Sequence, residues 1–309
     1  MPSWITIFTA PKAFTNPHIA LIQCNAIQSW LHLGEQVQVL LVGEEDGLAE
    51  TAKELGVQQL PGVKRNDQVT PLVSSMFDLA RQYSDSPYLA CINADVMLLP
   101  DFIEVTRQAA TQAKEFLVVG QRWDLDVRRE LDFTPGWDER LRHELQERGR
   151  LHPPSGSDYF VFPRLCFLDM PHFAIGRAGW DNWMFFHARQ KGWPVINATQ
   201  VLPVIHQDHD YSHLPGGQPH YRLPETSQNV RLAGGRRTIF TLLDADYALS
   251  EGNLQKIPLK GKKLLREIEI FPLVKLQSYV LGELAFMICH PVKAWGEWRG
   301  RIQYKLRKR

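Results

Sequence analysis

The sequence predicts an α/β fold, a mostly parallel sheet flanked by helices. Three observations predict it. Short apolar runs alternate with stretches of helical period from residue 5 onward; the links between them are short; and the runs are apolar on both faces, as strands are when helices cover both sides of a sheet. With 309 residues the chain can bury a full core.

The elements follow in order. Ile5–Thr9 reads as the first strand, after which Ala10-Pro11-Lys12-Ala13 turns away. Asn16-Pro17 marks a helix start, Asn supplying the capping oxygen and Pro the first helical position. Ile19, Ile22, Ala26, Ile27 and Trp30 form its apolar face, and Gly34 ends it. Val37–Val42 is the second strand, and a short helix from Leu48 to Leu55 stops at Gly56. Thr70-Pro71 repeats the cap-then-proline signal for a helix turning Leu72, Met76, Leu79, Ala80 and Tyr83 inward. Tyr88–Ile92 is the central buried strand, and Asn93 and Asp95 follow it. A helix from Asp101 to about Lys114 leads to the strand Phe116–Val119. Further elements are a helix over Trp137–Arg148, a Pro- and Gly-rich loop over Leu151–Gly156, a strand over Tyr159–Phe162, a helix near Trp183–Lys191 and a last strand from Val195 to Ile205.

Charge is unevenly spread. Residues 256–309 carry 13 Lys+Arg against 4 Asp+Glu, which leaves 22 against 30 for the first 255. The tail combines this with the apolar spacing Leu273, Leu276, Val280, Leu284, Met287, a pattern that suits an anionic membrane surface. The acidic body, with no basic–aromatic platform, argues against nucleic acid. The expected division is a domain over residues 1–250 and a basic amphipathic helical extension over 251–309. Cys24, Cys91, Cys166 and Cys289 are scattered without CxxC pairing, which predicts reduced thiols and a cytoplasmic protein; for the tail two readings stay open, a helix packed on the body with a solvated end and a segment lying at a membrane surface. GxxxxGK[ST], GxGxxG after the first strand and GxSxG are all missing, so a P-loop NTPase, a Rossmann dehydrogenase and a serine hydrolase are not expected.

Polar residues gather at element ends. In an open α/β sheet ligands bind beyond the carboxyl ends of the strands, which places Asn93-Ala-Asp95 at a binding crevice. If that segment is extended, side chains 93 and 95 point the same way and can share one cation or diphosphate. The second cluster is Trp180-Asp-Asn-Trp183. The third is His206-Gln-Asp-His-Asp-Tyr-Ser-His213, in which His206, His209 and His213 also have zinc-like spacing.

Taken together, Ile92-Asn-Ala-Asp95, Trp180-Asp-Asn-Trp183 and Ile205-His-Gln-Asp-His-Asp-Tyr211 resemble the glycosyltransferases of the GT-A fold over roughly residues 4–215. The resemblance implies a GT-A-like, Rossmann-type sheet with a C-terminal helical appendage, and transfer of a sugar from a nucleotide-diphosphate donor to an acceptor hydroxyl with inversion. Asp95 matches the last residue of the family's Asp-x-Asp motif and Asn93 departs from the first. His206 matches the late histidine of the metal site, so Mn²⁺ or Mg²⁺ at Asp95 and His206 is expected. The resemblance further implies Asp181 as the base, Thr9, Lys12, Arg65, Asn66, Asn93 and Asp95 around the donor, and Arg122, Asp158, Trp180 and Trp183 around the sugar or acceptor. Asp124 stands beside Arg122 in that pocket. Two rivals keep the fold: a sugar-phosphate nucleotidyltransferase, and a non-catalytic module that binds nucleotide sugar or a partner.

Overall fold

A computed structural model describes residues 3–209 and 223–307. Strand β1 (Ile5–Thr9) is buried throughout, and helix α1 (Pro17–Leu31) follows, its Asn16 side chain accepting from the backbone N–H of His18 and Ile19. Next come β2 (Val37–Val42), α2 (Leu48–Glu54), β3 (Gln58–Leu60), α3 (Val73–Gln82), β4 (Tyr88–Ile92), β5 (Val96–Met97), α4 (Asp101–Gln112), β6 (Leu117–Val119) and β7 (Arg122–Leu125). The chain continues through α5 (Trp137–Arg148), β8 (Arg150–Leu151), β9 (Tyr159–Pro163), α6 (Trp180–Lys191), β10 (Val195–Asn197) and β11 (Val204–Gln207). After residue 223 lie α7 (Pro224–Leu232), a hairpin of β12 (Tyr247–Ser250) and β13 (Asn253–Lys256), and helices α8 (Gly261–Val274), α9 (Tyr279–Cys289) and α10 (Pro291–Arg307).

The main sheet has nine strands in the order β13-β12-β10-β6-β9-β4-β1-β2-β3. Most neighbours run parallel, as expected; β9 runs antiparallel to both β4 and β6, and β13 antiparallel to β12. Because side chains alternate along a strand, the central strands feed two cores. Ile7, Ala90 and Ile92 join α1's Ile27 and Trp30 on one face. Phe8, Leu89 and Cys91 join Phe77 of α3 and Phe185 of α6 on the other.

A second, four-stranded sheet, β5-β11-β7-β8, was not expected. Its strands are two to four residues long, too short for an alternating pattern to register. The predicted strand from Val195 to Ile205 accordingly divides. Asn197 Oδ1 accepts from both the backbone N–H and the hydroxyl of Thr199, turning the chain, and Pro203 brings no N–H to a ladder. β10 stays in the main sheet and β11 enters the small one.

Two other expectations are corrected. Thr70-Pro71 does not open α3: Pro71 forms an isolated bridge with Arg65, its carbonyl accepts from Ile175, and the helix starts at Val73 behind Leu72. Tyr83, expected to face inward, is 46% exposed because the helix ends at Gln82. All four cysteines are unpaired. Among the described residues no helix is long and apolar enough to cross a membrane.

Candidate functional site

The small sheet brings the polar residues together. In β11, His206 stands opposite Val96 of β5 on one side and Asp124 of β7 on the other, so one histidine is set between Asp95 and Asp124. Asp95 precedes β5 in a tight turn, in which Val96 N–H donates to the Asn93 carbonyl at 3.1 Å. Gln207, fully buried, fixes this turn. Its side-chain amide donates to the Ile22 carbonyl at 2.6 Å and the Asp95 carbonyl at 3.2 Å, and its Oε1 accepts from Asn25.

Asp95 is 7% exposed. Its Oδ2 accepts from the Lys12 ammonium at 3.2 Å and the His209 Nε2 at 3.0 Å; Lys12 Nζ and His209 Nε2 are themselves 3.0 Å apart. Oδ1 stands 4.0 Å from His206 Nε2 and has no hydrogen-bond partner among the described residues. Burial alone would push this carboxyl up, but Lys12, His209 and His206 together outweigh it and hold it well below the usual carboxylate range. His206 shifts down, chiefly through burial. Its Nδ1 lies 3.5 Å from Asp124 Oδ1 and is likewise without a hydrogen-bond partner among the described residues.

A second set of polar side chains adjoins this one. Arg122 Nε donates to Asp124 Oδ1 at 2.9 Å and its Nη1 to Asp158 Oδ2 at 2.5 Å. Asn93 Nδ2 donates to Asp158 Oδ1 at 2.6 Å, and His152 Nδ1 to Asp124 Oδ2 at 2.7 Å. Asp158 reaches this edge because β9 runs against its neighbours, so the start of β9 meets the end of β4. His152 carries no local signal, lying within the Pro- and Gly-rich stretch Leu151–Gly156.

Asp181 occupies the first turn of α6, its Oδ1 accepting from the Gly179 N–H at 3.1 Å. Burial raises its carboxyl, the backbone N–H groups of Asn182 and Gly179 partly offset this, and the Asp158 charge adds to the rise. The Asp158 charge acts on both Asp181 and His206.

Other expected site residues already have partners, are buried, or lie outside the described residues. The side chains of 93 and 95 have different partners: a turn follows Asn93, whose amide is bound to Asp158, while Asp95 is bound to Lys12 and His209. Trp180 and Trp183 are each 7% exposed and do not offer faces to a sugar. Trp180 packs on Phe160 and Trp183 on His187 and Phe173, because α6 buries its aromatic side in the core. Arg65 pairs with Glu45 at 2.8 Å and Asn66 donates to Glu225 at 2.6 Å, a group of its own that includes Arg177. Thr9 is buried at the end of β1. His213 and Asp210 lie outside the described residues.

The donor set fits a divalent cation. Asp95, His206 and His209 place ligand atoms within 4.8 Å of one another, as do Asp124, His206 and Asp208, and the unpartnered Asp95 Oδ1 is the atom a cation would satisfy.

No family model matches the chain, and no curated protein matches it. Solved structures do. A Pyrobaculum calidifontis mannosyltransferase in complex with GDP-Man and Mn²⁺ is 11% identical over 69% of this chain, at a TM-score of 0.45; the match spans 59% of that protein's length. A Mycobacterium tuberculosis glucosyl-3-phosphoglycerate synthase is 16% identical over 83% of this chain and 88% of its own, at 0.48. The Staphylococcus aureus protein TarS (1–349) with UDP-GlcNAc is 11% identical over 94% of this chain and 80% of its own, at 0.49.

Proposed function

We propose that this chain is a glycosyltransferase that moves a sugar from a nucleotide-diphosphate donor to an acceptor hydroxyl with inversion. The observation that carries the reading is Asp95. It is a buried carboxylate kept ionised by Lys12, His206 and His209 at the carboxyl end of a central parallel strand, with one oxygen still unpartnered. Strand ends of this kind are where α/β sheets bind ligands.

In this reading Asp95, His206 and His209 hold a divalent cation, and Lys12 pairs with a diphosphate oxygen, its ammonium already being beside the cluster. The cation would neutralise charge that builds on the departing diphosphate. Thr9, Arg65 and Asn66 serve the nucleoside end, beyond the ends of β1 to β3. Arg122 and Asp158, locked together, bound the sugar. Asn93 acts through Asp158, holding that carboxylate in place. Asp181 is the base. The acceptor oxygen bonds to the anomeric carbon on the face opposite the diphosphate, the carbon–oxygen bond to the diphosphate breaks with its electron pair leaving on phosphate, and the hydroxyl proton passes to Asp181. The upward shift of Asp181 makes it a better proton acceptor than an ordinary aspartate.

The test is a thermal-shift screen of nucleoside diphosphates and nucleotide sugars with Mn²⁺, with Mg²⁺ and with chelator. The expected result is a rise in melting temperature for one nucleotide class, largest with Mn²⁺, and lost in Asp95→Asn. A protein that no nucleotide sugar stabilises under any of these conditions sinks the reading.

A further inference from the structure

Helices α8 to α10 hold their acidic residues in ion pairs and leave many of their apolar residues exposed. α8 docks through Ile270, Leu273 and Val274, all buried in the core. Leu273, expected on the outward stripe, is therefore not part of it. The opposite side of α8 presents Leu265 and Ile268, α9 presents Val280 and Ile288, and α10 presents Val292 and Trp295; each of these six is more than half exposed. α8 packs on α9 and α9 on α10, so the apolar belt runs across three helices. A surface helix of a free-standing protein carries polar residues there instead.

The charged side chains explain the orientation. All four acidic residues in 256–309 are ion-paired. Glu267 is held by Arg189 and Lys263, Glu269 by Arg266 and His290, and Glu283 and Glu297 both by Arg237, whose guanidinium also lies 3.4 Å from the centre of the Phe286 ring. The basic residues Lys260, Lys262, Lys275, Lys293 and Arg299 remain exposed. The outer layer thus shows apolar and cationic groups together, and its two exposed tryptophans, Trp295 and Trp298, stack with ring centroids 4.9 Å apart. Tryptophan at such a boundary is favoured at the headgroup level of a bilayer.

We propose that α8 to α10 form a docking face for an anionic lipid bilayer, lying in the headgroup region with the belt inserted and the basic residues against lipid phosphates. A second copy of the chain fits less well, because two such faces would bring like charges together. This surface is independent of the sugar-transfer reading and stands or falls separately from it.

The test is co-sedimentation of the full chain with vesicles of equimolar phosphatidylglycerol and phosphatidylcholine, and with pure phosphatidylcholine. The protein is expected to pellet with the anionic vesicles, less at high salt, and to stay in solution with the neutral ones. Ile288→Ser with Trp295→Ser is expected to lower partition about tenfold or more without changing the melting temperature, since both side chains are exposed. Lys293→Glu with Arg299→Glu is expected to abolish the preference for anionic lipid. Protein that stays in solution with both vesicle types overturns the proposal. So does a dimer in light scattering that Ile288→Ser with Trp295→Ser converts to monomer, because a second copy would then cover the belt.

Discussion

Asn93 donates its side-chain amide to the Asp158 carboxylate at 2.6 Å, and this bond explains an amide where an acidic residue was expected. A carboxylate at position 93 would face Asp158 directly, as like charges at contact distance. Asn93→Asp is therefore expected to destabilise the protein by about 2 kcal/mol or more, through a lost charge-assisted hydrogen bond and added repulsion. Urea unfolding measures it. A variant as stable as the wild type and binding Mn²⁺ more tightly would show that position 93 serves the cation instead.

Asp95→Asn keeps the shape of the side chain and removes its charge. Lys12 and His209 would lose an ionic partner, and transfer activity is expected to fall about a hundredfold or more. Titration with Mn²⁺ should show weakened binding in parallel. Unchanged metal and nucleotide binding would place the donor elsewhere.

Asp181→Asn is expected to lower kcat by two to four orders of magnitude, roughly the contribution of a positioned base, while donor-induced stabilisation persists. The pairing of lost turnover with retained binding separates an enzyme from a module that only binds. If turnover survives, the base lies elsewhere, and His152 on Asp124 is the next group to replace.

His187 gives a pH prediction away from the site. It is 5% exposed, and burial pushes its imidazole down to about 4, with Asp169 opposing and Lys191 adding to the shift. In the unfolded chain a histidine titrates near about 6.5. Between these values the unfolded state binds more protons, so the contribution is whole above about 6.5 and is lost as pH falls toward about 4. His187→Leu should show a flatter dependence of unfolding midpoint on pH across that window. Equal slopes would mean the imidazole is not held neutral.

Asn16→Ala is expected to cost about 1 kcal/mol, because the Asn16 side chain accepts from two backbone N–H groups that α1 cannot otherwise satisfy. Chemical denaturation reads it, and no change would mean that water replaces the cap at no cost.

The features legible in the sequence were those with strong local causes. Asn16-Pro17 marked α1 because capping oxygen and fixed φ act within one turn; Val37–Val42 and Tyr88–Ile92 stood out because both faces of a central strand are apolar. The small sheet stayed hidden, since strands as short as Val96–Met97 are specified by partners more than 100 residues away. His152 was hidden too, since its contact with Asp124, 28 residues away, depends on β8 pairing with β7 and not on its neighbours in sequence. Thr70-Pro71 misled because proline fixes φ for an extended bridge as readily as for a first helical turn.

The reversed strand β9 has a kinetic consequence. It is the piece that joins β4 to β6, and it carries Asp158 to Asn93 across 65 positions of chain. In the main sheet β9 alone lies between the parallel blocks on either side, and Asp158 meets Asn93 where the start of β9 meets the end of β4. Contacts between distant parts of a chain form slowly. A refolding experiment that follows nucleotide capture alongside backbone signal should see the ligand taken up only in the slowest phase, when β9 closes the gap.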